Sequence, residues 1–381
     1  MKDGNPTVPI IDKKSPEPLY EQVKRYIIDG INSGLFKPNQ RIYSESEFSS
    51  RFGISRLTVR KALDDLLHQG MLFKIQGKGT FVEDPRKLKN ISSIQGKPTI
   101  GMIALTLENP LVSQMIAGIE QVLYKRGFQL IFSHSNRDQA IEEEKIETLR
   151  NNGVEGIILY PSDREADDRT LRKAIEDRFP LVLIDRYLEE YEISSVTSDN
   201  FTGGYKITEH FIEHGYKNIG FFAPPHAGVT SILERFRGYC QALKDNGMPL
   251  KDSLVENQVN ISVPKDSLGD WRQHKERMRH YLKSNKDVEA VFVDNDYFAM
   301  AFYNVCHELG MRIPEDIAIA GFDDDVGVSN LIPPLTTVRQ DGLEIGRKAA
   351  EMLLEMIKHG DWKERHIVIP IELKIRKSCG C

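Results

Sequence analysis

Residues 44–70 read SESEFSSRFGISRLTVRKALDDLLHQG. Ser44 with Glu47 three positions later is a capping box, so a short helix begins here, and Gly53 ends it. Gly53-Ile-Ser55 is a tight turn. Ser55 caps a third helix, Arg56 to Gln69, whose buried face is Val59, Ala62, Leu63, Leu66 and Leu67 and which Gly70 ends. Upstream, Leu19, Val23, Tyr26, Ile27 and Ile31 recur at helical spacing after Pro18, and Gly34 stops that helix. Downstream, MLFKIQGKGTFV at 71–82 is two short β segments around Gly77-Lys-Gly79, a hairpin signal. Three helices and a hairpin predict a winged helix-turn-helix.

That arrangement puts Arg56, Thr58, Arg60 and Lys61 on the exposed side at the N-terminal end of the third helix, the part that enters a major groove. Arginine can bridge guanine O6 and N7, and threonine can meet a phosphate or a thymine methyl. The wing glycine Gly77 admits a phosphate to the backbone and Lys78 adds a cation. Any one of these residues alone reads as a solvated helix face; their combination with the wing points to DNA. The charge distribution agrees. The 381 residues carry 51 basic and 56 acidic side chains, a net charge of −5. Residues 1–90 hold 16 basic and 11 acidic groups, a net of +5, which leaves −10 on the remainder.

Residues 18–82 resemble the GntR-type winged helix, through PLYEQVKRYI, the 44–70 stretch and QGKGTFV. The resemblance implies operator contacts at Ser44, Arg56, Thr58 and Arg60 and at the wing Gly77. The family usually has Pro-Ser-Glu-Arg at the start of the second helix. Here Tyr43-Ser44-Glu45-Ser46 places a serine where the family has a DNA-contacting arginine.

Composition bounds the rest. With 40% hydrophobic and 28% charged residues the chain reads as ordinary globular protein of two or three domains, which excludes a largely disordered one. No apolar run approaches the ~18 residues of a membrane span, and the polar first residues predict no signal peptide. Cys240, Cys306, Cys379 and Cys381 are too few for a disulfide framework, so a reducing cytoplasm is expected. Residues 83–97 read as a polar linker. From 98 onward short apolar runs alternate with amphipathic helices, the pattern of two doubly wound α/β lobes with parallel sheets. In such folds ligands sit beyond the carboxyl ends of the strands. Those ends carry Asn109, Asp185-Arg186, Asp294-Asn295-Asp296 and Asp323-Asp324-Asp325, residue types that pair with vicinal hydroxyls.

The strings VLIDRYL, ERFRGYCQAL, VFVDNDYFAM, GFDDD and IPPLTTVRQD resemble the LacI/GalR-type effector-binding core. That resemblance covers about 98–377 and implies a periplasmic-binding-protein-like body. Lobe one would be about 98–197 and 341–368, and lobe two about 198–337 and 369–381. It implies effector contacts at Asp185, Arg186, Arg235, Asn295, Asp323 and Gln340, at Asn109 and Val112 after the first strand, and at Trp271 as a stacking ring. Asp294, Asp296, Asp324 and Asp325 read as caps and turn residues. A GntR-type head on a LacI-type core is the arrangement of arabinose-responsive repressors. It implies a homodimeric repressor of carbohydrate-utilisation genes on double-stranded operator DNA, released by a small sugar. An activator or corepressor-dependent regulator stays open, as does a sugar sensor acting through protein partners.

An enzyme has less support. No phosphate loop or dinucleotide fingerprint follows a strand, and no nucleophile–base pair can be placed, so no catalytic residue and no cofactor are expected. His210 and His214 are four apart on one helix, but a second carboxylate or histidine at compatible spacing is lacking, though Glu209 and Glu213 are adjacent. They read as a solvated face, Cys379-Gly-Cys381 reads as a frayed end, and no metal site is expected.

Overall fold

The computed structural model describes residues 11–381 apart from 14, 16, 69–70, 76–77, 84–96, 108, 164–167, 225–227, 258–270 and 361, and apart from the side chains of 32, 68 and 271–273. Two compact units divide the chain at Met1–Lys97 and Pro98–Cys381.

The first unit is built from α1 (Leu19–Asn32), α2 (Glu45–Phe52), α3 (Arg56–His68) and a hairpin of β1 (Leu72–Ile75) and β2 (Gly79–Val82). The Ser44 hydroxyl accepts from the Glu47 N–H and the Glu47 carboxylate from the Ser44 N–H, the capping box in full. Gly53 then adopts a left-handed φ of 62°, which lets the chain reverse into α3. Ser55 Oγ accepts the Thr58 N–H at 3.1 Å, and its hydroxyl meets that of Thr58 at 2.7 Å. Val23, Ile27, Phe48, Val59, Ala62, Leu66, Leu72 and Val82 close one core from all five elements.

The second unit holds two six-stranded sheets. One has the order β13-β7-β6-β5-β3-β4, all parallel, from β3 (Thr99–Ala104), β4 (Gln129–His134), β5 (Gly156–Leu159), β6 (Leu181–Ile184), β7 (Ser195–Ser198) and β13 (His366–Ile369). The other has the order β14-β12-β11-β10-β8-β9. Its strands are β8 (Ile219–Phe222), β9 (Val255–Glu256), β10 (Ala290–Val293), β11 (Ala318–Asp323), β12 (Thr336–Arg339) and β14 (Glu372–Lys374), of which only β14 runs antiparallel. Every residue of β5, β6, β8 and β10 is buried, as helices on both faces of a sheet require.

In the first lobe those helices are α4 (Pro110–Arg126), α5 (Gln139–Asn151), α6 (Arg169–Glu176) and the returning α11 (Gly342–His359). The second lobe has α7 (Asn200–Glu213), α8 (Thr230–Asp245), α9 (Trp271–Ser284) and α10 (Asp296–Glu308). Helices α7 and α8 touch backbone to backbone. A Cβ on Gly204 would lie 2.1 Å from the Arg235 carbonyl oxygen, and one on Gly238 2.1 Å from that of Phe201. This contact sets Arg235 beside the N-terminal end of α7. Among the described residues no helix is long and apolar enough to cross a membrane.

Candidate effector cleft and DNA-reading helix

At the carboxyl end of β6, Asp185 and Arg186 are 4% and 8% exposed. Asp185 holds a φ of 71°, a left-handed backbone unusual for a side chain of its kind. The Arg186 guanidinium lies over the Tyr160 ring, 5.2 Å from its centroid, and donates to Asp163 at 2.7 Å. Burial opposes its charge, but Tyr160, Asp163 and Asp185 outweigh burial and hold the group firmly protonated. Its Nε is buried with no hydrogen-bond partner.

The second lobe answers with a similar group. Arg235 on α8 stacks 3.8 Å above the Phe322 ring, donates to Asn200 Oδ1 at 2.9 Å and to the Asp294 carbonyl oxygen at 2.7 Å, and lies 3.9 Å from Asp323. Asp323 ends β11 with a φ of 127°, and the Gln340 amide donates to it at 2.5 Å. Burial pushes the Asp323 carboxyl well above the usual carboxylate range. Arg235 pulls it back, while Asp325, Asp296 and Asp185 push it further. Asp185 belongs to the opposite lobe, so the strand ends of both lobes share one electrostatic neighbourhood. The lobes also touch directly where the Thr230 hydroxyl donates to the Tyr187 carbonyl at 2.9 Å.

Of the residues expected on ligand from the sequence, Asp185, Arg186, Asp323 and Gln340 therefore follow or end strands and Arg235 reaches Asp323 from α8; all but Asp323 are buried, and the Asp323 side chain is 8% exposed. Others have local duties. Asn109 caps α4 by accepting the Leu111 N–H at 2.8 Å, and Val112 is 1% exposed within the apolar core of its lobe. Asn295 caps α10, with Oδ1 accepting the Phe298 N–H at 2.9 Å. The Trp271 side chain lies outside the described residues.

Two readings of acidic residues need correction. Asp294 and Asp296 are not caps or turn residues: they are 1% and 0% exposed, and burial pushes both carboxyls up to about 7. Asp296 is satisfied by the Thr337 hydroxyl and the Asp325 N–H, whereas Asp294 Oδ1 has no partner. Asp294, Asp163 and Asn200 are thus site residues that sequence reasoning missed. The signal for Asp294 was its place directly after Val293, the last residue of a fully buried strand. The reading of the helix face and of the end is corrected in part: His210 is 5% and Cys379 0% exposed, because residues 376–381 fold back against α7, while His214 is exposed as expected.

In the first unit Arg56, Arg60, Lys61 and Lys78 are exposed, as is Ser46, and Thr58 is half-buried. Arg60 is held by Glu45, with Nη2 donating at 3.0 Å and Nε at 3.2 Å to one carboxylate oxygen. The Lys61 ammonium sits 3.8 Å above the Tyr20 ring, which ties it to α1. Ser44 spends its hydroxyl on the cap. Arg41, not singled out from sequence, pairs across with Phe81 of the wing and reaches to 3.6 Å from Glu47. Gly77 lies outside the described residues.

Comparisons with known proteins follow the same division. Residues 19–82 match the model described as bacterial regulatory proteins, gntR family, and residues 208–379 match a periplasmic binding protein-like domain. An arabinose metabolism transcriptional repressor of Geobacillus stearothermophilus is 30% identical over 373 residues, covering 96% of this chain and 99% of that protein. The HTH-type transcriptional repressor PurR of Mannheimia succiniciproducens is 29% identical over 74% of this chain and 80% of its own length. Among solved structures, a LacI family transcriptional regulator from Enterococcus faecium with bound ribose superposes with a TM-score of 0.61 at 25% identity, covering 74% of this chain and 98% of its own.

Proposed function

The chain belongs to the family of transcriptional repressors that join a gntR-type winged helix to a periplasmic-binding-protein-like core. From that premise we propose that it represses carbohydrate-utilisation genes and leaves its operator when a small polyhydroxylated effector, arabinose or a related pentose, closes the two lobes. The observation that carries this reading is a pair of buried polar atoms without a hydrogen bond, Arg186 Nε in one lobe, which has only the Asp185 carboxylate 3.7 Å away, and Asp294 Oδ1 in the other. Leaving a buried polar group unsatisfied costs about 1–3 kcal/mol, more for a charged one. A ligand that accepts from Arg186 and donates to Asp294 removes both costs at once, and only with the lobes together. Vicinal hydroxyls both donate and accept, so a sugar meets both demands.

The effector can shift the core only by its differential affinity for the closed and open arrangements. Arg235 is placed to make that difference, since it ties Asn200, Asp294 and Asp323 into one group on the second lobe. In the head, Arg56, Thr58 and Arg60 would reach base edges or phosphates, with Ser44, Lys61, Gly77, Lys78 and Arg41 along the backbone. A homodimer would present two such helices to a palindromic operator. The relatives are regulators rather than enzymes.

A thermal-shift screen over pentoses, hexoses and their phosphates tests the reading. One neutral sugar is expected to raise the melting temperature of the wild type and not that of Arg186→Met. A panel in which only non-sugar ligands stabilise the core would overturn it.

A further inference from the structure

Helix α7 carries His210 and His214 one turn apart, with ring centroids 4.2 Å from each other. Residues 376–381 return to this helix and set two thiols against the rings. His210 Nε2 lies 3.2 Å from Cys379 Sγ and 3.3 Å from Cys381 Sγ, and His214 Nε2 lies 3.1 Å from Cys381 Sγ. The two sulfurs are 3.0 Å apart, too far for the ~2.05 Å of a disulfide bond. One nitrogen and two sulfurs thus lie within 4.8 Å of one another, from positions up to 171 residues apart, and His214 Nε2 joins them through Cys381.

The surroundings orient these donors. His214 Nδ1 donates to the His210 carbonyl oxygen at 2.8 Å, which leaves Nε2 with its lone pair directed at Cys381. Ligating histidines are held this way, by a hydrogen bond from the other ring nitrogen. The Thr336 hydroxyl lies 3.0 Å from Cys379 Sγ and 3.1 Å from the Arg376 carbonyl oxygen, and the Tyr216 hydroxyl donates to the Cys379 carbonyl at 3.2 Å. Ser378 anchors the turn by donating to the Ile319 carbonyl at 2.6 Å and accepting the Thr336 N–H at 2.8 Å. Cys381 and His214 are exposed, so an ion has a way in.

We propose that His210, His214, Cys379 and Cys381 form a tetrahedral structural zinc site that fastens residues 376–381 to α7. Two thiolates and two imidazoles suit zinc in hardness and geometry. Zinc–sulfur bonds of ~2.3 Å and zinc–nitrogen bonds of ~2.0–2.1 Å separate tetrahedral donors by roughly 3.4–3.8 Å. The nitrogen–sulfur contacts need open by a few tenths of an ångström and the sulfur–sulfur contact by about 0.8 Å, while His214, which meets Cys381 alone of the two thiols, has to draw in to complete the tetrahedron. With four protein ligands no coordination position is left for water or substrate, so the role is to hold the fold rather than to catalyse.

The test uses the full chain produced without a histidine tag and purified under a non-chelating reductant. Elemental analysis should find about one zinc per chain. Cobalt substitution should give a thiolate-to-cobalt charge-transfer band and the intense visible bands of a tetrahedral ion. Cys381→Ser and His214→Ala change exposed ligands, so both proteins should fold. Each should lose most of the zinc and melt about 3–6 °C lower, while the stabilising sugar still binds within about twofold. Protein that holds no zinc and gives no tetrahedral cobalt spectrum would overturn the proposal. So would full zinc content in both variants, or a Cys379–Cys381 disulfide in the freshly purified chain.

Discussion

The two units keep their functional groups in opposite environments. On the head, Arg56, Lys61 and Lys78 stand in water, and the ion pair of Arg60 with Glu45 is one that solvent screens. In the core, Arg186, Arg235, Asp294 and Asp323 are all at most partly wetted. The contrast follows from the targets. A DNA phosphate is met at the surface and the counterions it releases supply much of the affinity. A neutral sugar offers no charge, so its site must desolvate its own charged groups and let the hydroxyls complete them. Exposed residues on the head should therefore be replaceable at little cost in stability, and buried ones in the core should not.

The largest effect expected is from Arg235→Met. It leaves Asp323 without its nearby cation and Asn200 and the Asp294 carbonyl without a donor, and breaking such a buried group costs about 3–5 kcal/mol. Denaturant unfolding should show that loss in the core transition, with effector binding abolished. A loss below 1 kcal/mol would erase the distinction between the units.

Asp294→Asn should be gentler on folding and severe on the ligand, weakening sugar binding by about ten- to a hundredfold by calorimetry. It also isolates a pH effect. The folded Asp294 carboxyl keeps its proton up to about 7, whereas an unfolded aspartate releases it near ~3.9. The folded state thus binds more protons between those values, and stability falls as pH rises through that window; Asp296 adds to the same trend. A sugar hydroxyl that donates to the ionised Asp294 should bind about tenfold more tightly at pH 8 than at pH 6. Asn at 294 should flatten both profiles.

Arg60→Ala should weaken operator binding by about ten- to a hundredfold and reduce the slope of log affinity against log salt by about one if it meets a phosphate. The melting temperature should hardly move, since Arg60 is exposed. Smallest is Ser44→Ala, which removes the cap of α2 and should cost the head about 1 kcal/mol while the core transition stays where it is.

What the sequence made legible follows local physics. Ser44 with Glu47, the reversal at Gly53 and the Ser55 cap are decided within a few residues of chain, and α2 and α3 form where they predict. The βα alternation likewise marked both sheets. Asp294 was misread because the position after a strand serves caps and ligand sites alike. Only packing shows that Asn295 takes the cap and Asp294 goes inward, its Oδ2 accepting from Asn295 and its Oδ1 left without a partner. The same holds for His210 and Cys379, 169 residues apart, whose meeting depends on how β12 and the last segment close over α7. Arg235 was placed by its spacing from Gly238 in a family motif. Its physical reason is the close packing of α7 on α8 that the glycines allow, since a Cβ on Gly204 or Gly238 would lie 2.1 Å from a backbone carbonyl oxygen of the other helix.

The central claim is that one sugar, bound between the lobes, lowers affinity for the operator. Fluorescence anisotropy can follow the full chain on a palindromic DNA selected by the ligand-free protein, with and without the sugar that most raises its melting temperature. Operator affinity is predicted to fall at least tenfold with that sugar, and to stay unchanged with it in Asp294→Asn. A sugar that stabilises the core yet leaves wild-type operator affinity unaltered would contradict the account.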